Sequence, residues 1–407
     1  MKHHFLPLAA AAVAAVALSA CGKGPSTPAT PGLLMGTVVD SVSHAPLAGA
    51  KVVAGSADST ATDAAGRFSL SLPQGRYAVQ VSKENYYGVA ANVPVLSRDT
   101  TEIVVYTRLR PWTPGTAMAD PNDYRHNYAS VLWGGQFYLM GGRQAQSSLD
   151  LSSSLTYSPG SNAWPANSFE LLTPGRHLSA SAVCRDTLYL FGGLSGSSVL
   201  NTVLKLNSSS WSATSNPIPA GLYGMSAVTS GDSILLMGGF TGPNAATESV
   251  RVYKPSADSA GGTPWSTAAN MPAARAGMSC AAAGGVVYLF GGVNSGGSAQ
   301  RSSYRYDPSA NSWTYLADMP ADRAYAACAA ASNMVYVIGG LTGSTVCSST
   351  YRYNPAANSW TAMEDMPLAR YGAGAAAYGG RIYVVGGFDG TNSLGAVEVY
   401  NPAADLK

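Results

Sequence analysis

Charge is scarce in this chain: Asp, Glu, Lys and Arg make up 11% of its 407 residues, and the formal net charge is +2. Nucleic-acid recognition rests on a clustered basic face, and this composition gives no case for one. Histidine is also scarce. Beyond residue 20 the His residues are His44, His126 and His177. A copper site needs several imidazole or soft ligands, which this set does not supply. There are five Cys and no Cys-x-x-Cys, so a structural zinc site is not expected. No apolar run beyond residue 20 is long enough to cross a bilayer as a helix. Hydrophobic residues nevertheless reach 46%, enough to bury two cores, so disorder is excluded. Low charge with abundant Ser, Thr, Ala and Gly fits an exported all-β protein.

Glycine, by contrast, is plentiful and ordered. Gly-Gly pairs at 141–142, 192–193, 238–239, 291–292, 339–340 and 386–387 each close an apolar strand. Their spacings of 51, 46, 53, 48 and 47 residues lie in the range of stacked or radial modules. After each pair a second strand follows, usually ending in Tyr-x-Pro, as at Tyr306-Asp307-Pro308 and Tyr353-Asn354-Pro355. A Trp comes next, at Trp164, Trp211, Trp265, Trp313 and Trp360, then a Pro turn, then an Arg that opens a strand of small residues. This order predicts four strands per unit.

The unit resembles the kelch repeat, over roughly residues 111–403, with six copies legible. The resemblance implies a six-bladed β-propeller in which neighbouring blades bury each other around a central channel. The chain ends before a sixth Trp strand after Tyr400, while an unassigned Trp112 stands at the start. The N-terminal strand is therefore expected to complete the last blade and remove a sheet edge.

Upstream, residues 1–20 read as an export signal, with Lys2 before an Ala/Val/Leu run. Leu18-Ser19-Ala20-Cys21-Gly22 resembles the lipobox of bacterial lipoproteins. It implies a lipid on Cys21 that anchors a cell-envelope protein, and Gly22 is compatible with transport to the outer membrane. Residues 21–32 form the lipidated Cys and a Pro-rich tether. Residues 33–109 show short alternating strands at Gly36–Val39, Ala50–Val53, Arg67–Leu70, Tyr77–Val81 and Ile103–Val105. They resemble the carboxypeptidase regulatory-like, transthyretin-type β-sandwich, usually a non-catalytic accessory module. Residues 110–407 are left for the propeller.

Candidate chemistry sits in the repeat register. Arg125, Arg176, Arg275, Arg323 and Arg370 each precede the first Gly of a pair by sixteen residues, and Leu222 takes that place in blade three. At the innermost strands such a series would line one channel mouth and suit carboxylate, phosphate or sulfate; equally, it could brace each turn. The next position holds His126, His177, Tyr223, Ala276, Ala324 and Tyr371 in turn. Rings and imidazoles thus occupy one arc of the mouth, which suggests a pocket for a sugar or peptide. Acids pair nowhere: Asp186, Asp232, Asp307 and Asp389 read as turn residues, and Asp123 and Asp322 stand singly near the Arg positions.

The expected role is binding of a protein segment or glycan, possibly anionic, by a monomer with no cofactor and no metal, and whether it also catalyses is left open. Kelch-type propellers include a sialic acid mutarotase, so a sugar-acting enzyme is the alternative. A surface scaffold using loops 143–150, 194–200, 240–247 and 294–300 is a third reading. Cys280 and Cys328 occupy equivalent places on adjacent inner strands, with Cys184 and Cys347 elsewhere. Whether any two form a disulfide is left open.

Overall fold

The computed structural model describes residues 30–56, 58–166 and 169–405, so the export segment and Cys21 lie outside the described residues. Two compact units divide between Arg110 and Pro111. The first is a β-sandwich. One sheet orders Arg67–Leu72, Gly32–Asp40 and Thr100–Thr107; the other orders Asp58–Ala61, Lys51–Ala54, Gly75–Ser82 and Val89–Val95. Side chains alternate in and out along each strand, and the inward set, with Leu34, Val38, Val52, Leu72 and Val93 fully buried, forms the core. Gly36 is required by proximity, because a Cβ there would meet the Ile103 carbonyl at 2.5 Å. Two strands escape the sequence pattern. Asp58–Ala61 is short and polar, and Val89–Val95 contains Asn92 and Pro94; both are sheet edges, where such residues are tolerated.

The second unit is a six-bladed propeller, as the repeat predicts. Innermost strands are Ala129–Trp133, Ala180–Cys184, Ser226–Ser230, Ser279–Ala283, Ala327–Ala331 and Gly374–Tyr378. Small residues dominate them because six strands crowd around one axis. The second strands, such as Val286–Phe290 and Met334–Ile338, are covered on both faces and are accordingly almost wholly apolar. The last blade is completed by Trp112–Pro114, which pairs antiparallel with Val397–Tyr400, Trp112 opposite Tyr400. Blade one departs from the four-strand expectation. Its sheet has three strands, and Trp164 lies outside them, followed by Pro165, which cannot donate to a ladder.

Tyrosine and tryptophan join the blades by direct bonds. The third-strand Tyr hydroxyl donates to an Asx side chain five residues on, as Tyr306 to Asn311 (2.8 Å), Tyr353 to Asn358 (2.8 Å) and Tyr400 to Asp405 (2.9 Å). The following Trp packs on that Tyr and donates its indole N–H to the preceding blade, as Trp360 to the Ala317 carbonyl (2.9 Å). In four gaps a second-strand Tyr also meets the third-strand Tyr of the next blade: Tyr189–Tyr253, Tyr288–Tyr353, Tyr336–Tyr400 and Tyr383–Tyr157, with centroids 5.7–6.0 Å apart. These contacts fill the space between blades with ring surface.

Candidate functional site

The inner strands enclose a channel of about 650 Å³ whose lining carries no charged side chain. At the Gly-pair end a ring of six residues narrows it: Asn127, Leu178, Gly224, Gly277, Tyr325 and Gly372, one per blade. All six have φ between 52° and 63°. That left-handed turn aims each N–H at the carbonyl of the preceding blade, at 2.6–2.9 Å, and Asn127 closes the circle on Gly372. Glycine is at ease there; Asn127, Leu178 and Tyr325 are held by the ring itself.

The arginine series lies beside this ring but does not face the mouth. Arg125, Arg176, Arg275, Arg323 and Arg370 are all buried, none more than 7% exposed. Arg125 donates to the carbonyls of Gly141, Ser153 and Asp123 and to the Ser153 hydroxyl, and pairs with Asp123 at 3.2 Å. Arg176 reaches the Gly192 carbonyl and Thr202; Arg370 reaches the carbonyls of Gly386 and Ala396 and approaches Glu398. Arg275 bonds Ser302, and Arg323 bonds Thr342, Ser349 and its own turn.

The backbone carbonyl of the same position meanwhile accepts from the Gly pair of the preceding blade, as Gly340 N–H to Arg370 at 2.8 Å. Arg125, Arg176 and Arg370 thus tie their own Gly pairs through the side chain, and all five arginines tie the preceding blade's pair through the backbone. The expectation of an Arg-lined mouth gives way to bracing, because Gly-pair carbonyls in three blades, and hydroxyls and turn carbonyls of the same blade in the others, take up the guanidinium donors. Burial lowers the pKa of Arg125 and Arg176 to about 10, still far above neutrality.

The next position behaves differently. His126, His177, Tyr223 and Tyr371 sit on the outer side of the ring, each bridged to the residue after a Gly pair. His126 packs on Phe388 at 5.0 Å and near Tyr371 at 6.4 Å; Tyr223 packs on Phe240 at 5.3 Å. Ala276 and Ala324 on the opposite arc belong to a small apolar cluster with Phe240 and Val293. The asymmetry of the sequence is therefore an asymmetry of the mouth.

Three features there were missed in the sequence. Tyr325, a ring residue, lays its side chain over Gly277 and within 6.4 Å of Tyr371. Burial, with the phenols of Tyr223 and Tyr371 close by, pushes its pKa up to about 12. Phenol rings from blades three, five and six thus converge, the Tyr223 hydroxyl donating to the Gly242 carbonyl at 3.2 Å. Second, Arg143 follows its Gly pair where the other blades carry Leu194, Phe240, Val293, Leu341 and Phe388. Its side chain is 37% exposed, and its contact with Asp150 is a loose 3.7 Å. Third, Asp150 accepts from the Gly196 N–H at 2.6 Å and stands 2.7 Å from His177 Nδ1.

Burial lowers the pKa of His177 despite Asp150. Burial, then the charges of His177 and Arg143, lowers that of His126 to about 4. His126 is anchored to the Ser393 hydroxyl at 2.9 Å. Arg143 was legible in the register once the position after each Gly pair was compared; Tyr325 and Asp150 were not, since neither stands out in its own repeat. Asp123 is bonded to Arg125 at 3.2 Å.

A family model for the KLHDC2/KLHL20/DRC7 Kelch-repeats domain matches residues 179–387, half of the chain. The chain belongs to the kelch-repeat family. A Kelch motif model also matches residues 369–406, and a Carboxypeptidase regulatory-like domain model matches residues 34–108, the sandwich. Among solved structures, the one titled "Structure of YjhT" shares the kelch propeller fold. Its TM-score is 0.61 at 15% identity, covering 69% of this chain and 96% of that one. No curated protein matches the chain by sequence. No helix of the described residues is long and apolar enough to cross a membrane.

Proposed function

We propose that this kelch propeller is a binding protein of the bacterial cell envelope, monomeric, anchored through a lipid on Cys21 and delivered to the outer membrane. Its ligand is a glycan or protein segment bearing a carboxylate, held at the Gly-pair mouth. The observation that carries this reading is Arg143. Its guanidinium, half exposed beside His126 and His177, makes no hydrogen bond among the described residues, whereas the five buried arginines are engaged. A planar fork with free donors is suited to an oxyanion. The phenols of Tyr325 and Tyr371 supply neutral donors, and Tyr223, whose hydroxyl donates to the Gly242 carbonyl at 3.2 Å, supplies a ring face.

The test is a thermal-shift titration with carboxylated oligosaccharides, their carboxyl-reduced forms and acidic peptides. A ligand at one hundred times its dissociation constant stabilises the fold by about 2.7 kcal/mol. A shift given by the carboxylated form, absent from the reduced form and lost in Arg143→Gln, is the expected result. A shift unchanged in Arg143→Gln would remove this residue from the site. Acylation of Cys21 is checked by mass spectrometry of the membrane-extracted protein.

A second reading, an enzyme acting on acidic sugars, draws on one observation. Asp150 lies 2.7 Å from Nδ1 of His177, which leaves the other ring nitrogen as a base. Anomer interconversion followed by NMR, with and without His177→Gln, separates catalysis from binding.

A further inference from the structure

The gap between blades one and two is built differently from its equivalents. Four other gaps close on a tyrosine pair, and the second-strand Tyr in each is 2–7% exposed. Tyr138 holds that position in blade one, but blade two presents Leu206 where the facing Tyr would stand. Tyr138 is therefore left half-buried, and its hydroxyl has no hydrogen-bond partner among the described residues.

The inner strand adds a second anomaly. It ends in Trp133, whereas blades two to five end in Cys184, Ser230, Ala283 and Ala331. The half-buried Trp133 ring lies 5.5 Å from Tyr138 at 41°, and Tyr138 lies 5.9 Å from Phe169 at 56°. The indole N–H donates to Asp186 at 2.8 Å, which fixes the ring. Phe169 is held as well, because the next residue, Glu170, donates its N–H to the Ser209 carbonyl at 2.8 Å.

We propose that this cluster of half-buried rings is a second binding site, independent of the Gly-pair mouth, that takes the ring of a neutral sugar in a glycan. Tilted, fixed ring faces suit the C–H face of a pyranose. The free phenol of Tyr138 and the exposed carboxylate of Asp186 lie at the ring edges, where hydroxyl groups of such a sugar fall. The second oxygen of Asp186 accepts a hydroxyl proton, and with Arg185 beside it the patch carries no excess of either charge, which suits an uncharged ligand, unlike that of the mouth.

The experiment titrates the purified protein with hexamers of β-1,4-glucose, β-1,4-N-acetylglucosamine and α-1,4-glucose, followed by tryptophan fluorescence and calorimetry. At least one hexamer is expected to bind, with affinity reduced about tenfold or more in Trp133→Ala. Leu206→Tyr, which refills the gap as the other blades do, should abolish binding while the melting temperature is kept or raised. Arg143→Gln should leave the titration unchanged, which separates this site from the mouth. Binding that persists in both Trp133→Ala and Leu206→Tyr would overturn the proposal, as would failure of all three hexamers. Capture of an apolar peptide at Trp133 in their place would overturn it too.

Discussion

Arg125 offers the sharpest contrast between bracing and ligand contact. Replacing it with Met keeps much of the aliphatic stem but removes the donors that satisfy the carbonyls of Gly141 and Ser153, each at 3.0 Å, and leaves Asp123 without its partner. The side chain is fully buried, so water cannot take over those bonds without disturbing the packing. A hydrogen bond from a charged donor contributes about 1.5–3 kcal/mol, and breaking a buried ion pair costs about 3–5 kcal/mol. These overlap and do not add, and Asp123 is partly solvated, so a loss of about 4 kcal/mol is expected. At roughly 2–4 °C per kcal/mol for a domain of this size, the melting temperature should fall by about 10 °C.

Arg143→Gln touches an exposed side chain with one loose contact and should stay within about 0.5 kcal/mol of the parent. Thermal unfolding followed by tryptophan fluorescence reads both. If Arg125→Met melts within about 2 °C of the parent, the bracing role is wrong, and the series would have to be reconsidered as a ligand surface.

Two further expectations concern titrating groups. His126 has a native pKa near 4 against an ordinary 6.5, so the unfolded chain binds the proton first. Its contribution to stability is whole above pH 6.5 and is lost as pH falls towards 4; His177, also lowered, acts in the same sense. Urea unfolding between pH 4 and 7 should show a shallower slope in His126→Gln, and an unchanged slope would refute the assignment. Burial pushes the Cys280 thiol up to about 12 and raises that of Cys328 well above its ordinary value, so both should resist iodoacetamide at pH 8 until the protein is unfolded. Mass spectrometry of native and denatured samples counts the modified thiols. No bond between these two is expected, because Cys280 packs with blades three and four while Cys328 packs with blades four and five. Residues related by the propeller's rotation point the same way around the ring, not at each other.

Much of the fold was legible in the residues, because a blade is a local unit. The apolar strand, the Gly-Gly exit, the Tyr and the Trp recur at fixed offsets, and each offset fixes a strand and its register. The unpaired Trp112 at one end and the missing Trp after Tyr400 at the other made ring closure readable as well. Blade one shows where such reading stops. Trp164 matches the repeat, but Pro165 denies it the ladder, so local chemistry overrides the period.

The sequence by itself determined the number of blades, their order, the closing strand and the sandwich ahead of them. It also marked the arc of the mouth that carries His126, His177, Tyr223 and Tyr371. The tertiary structure decided which way the side chains turn and which ones meet. Sixteen residues before a Gly pair, an Arg could point to the axis or to its own blade; the carbonyls exposed by the Gly-Gly exit draw it into the blade. Tyr223, Tyr325 and Tyr371 lie far apart along the chain and converge because the ring brings blades three, five and six around one mouth. Tyr138 is left half-buried because Leu206 faces it where the other blades present a tyrosine. Period fixes what is local; contacts between blades depend on pairs of repeats, and only the closed ring sets those pairs.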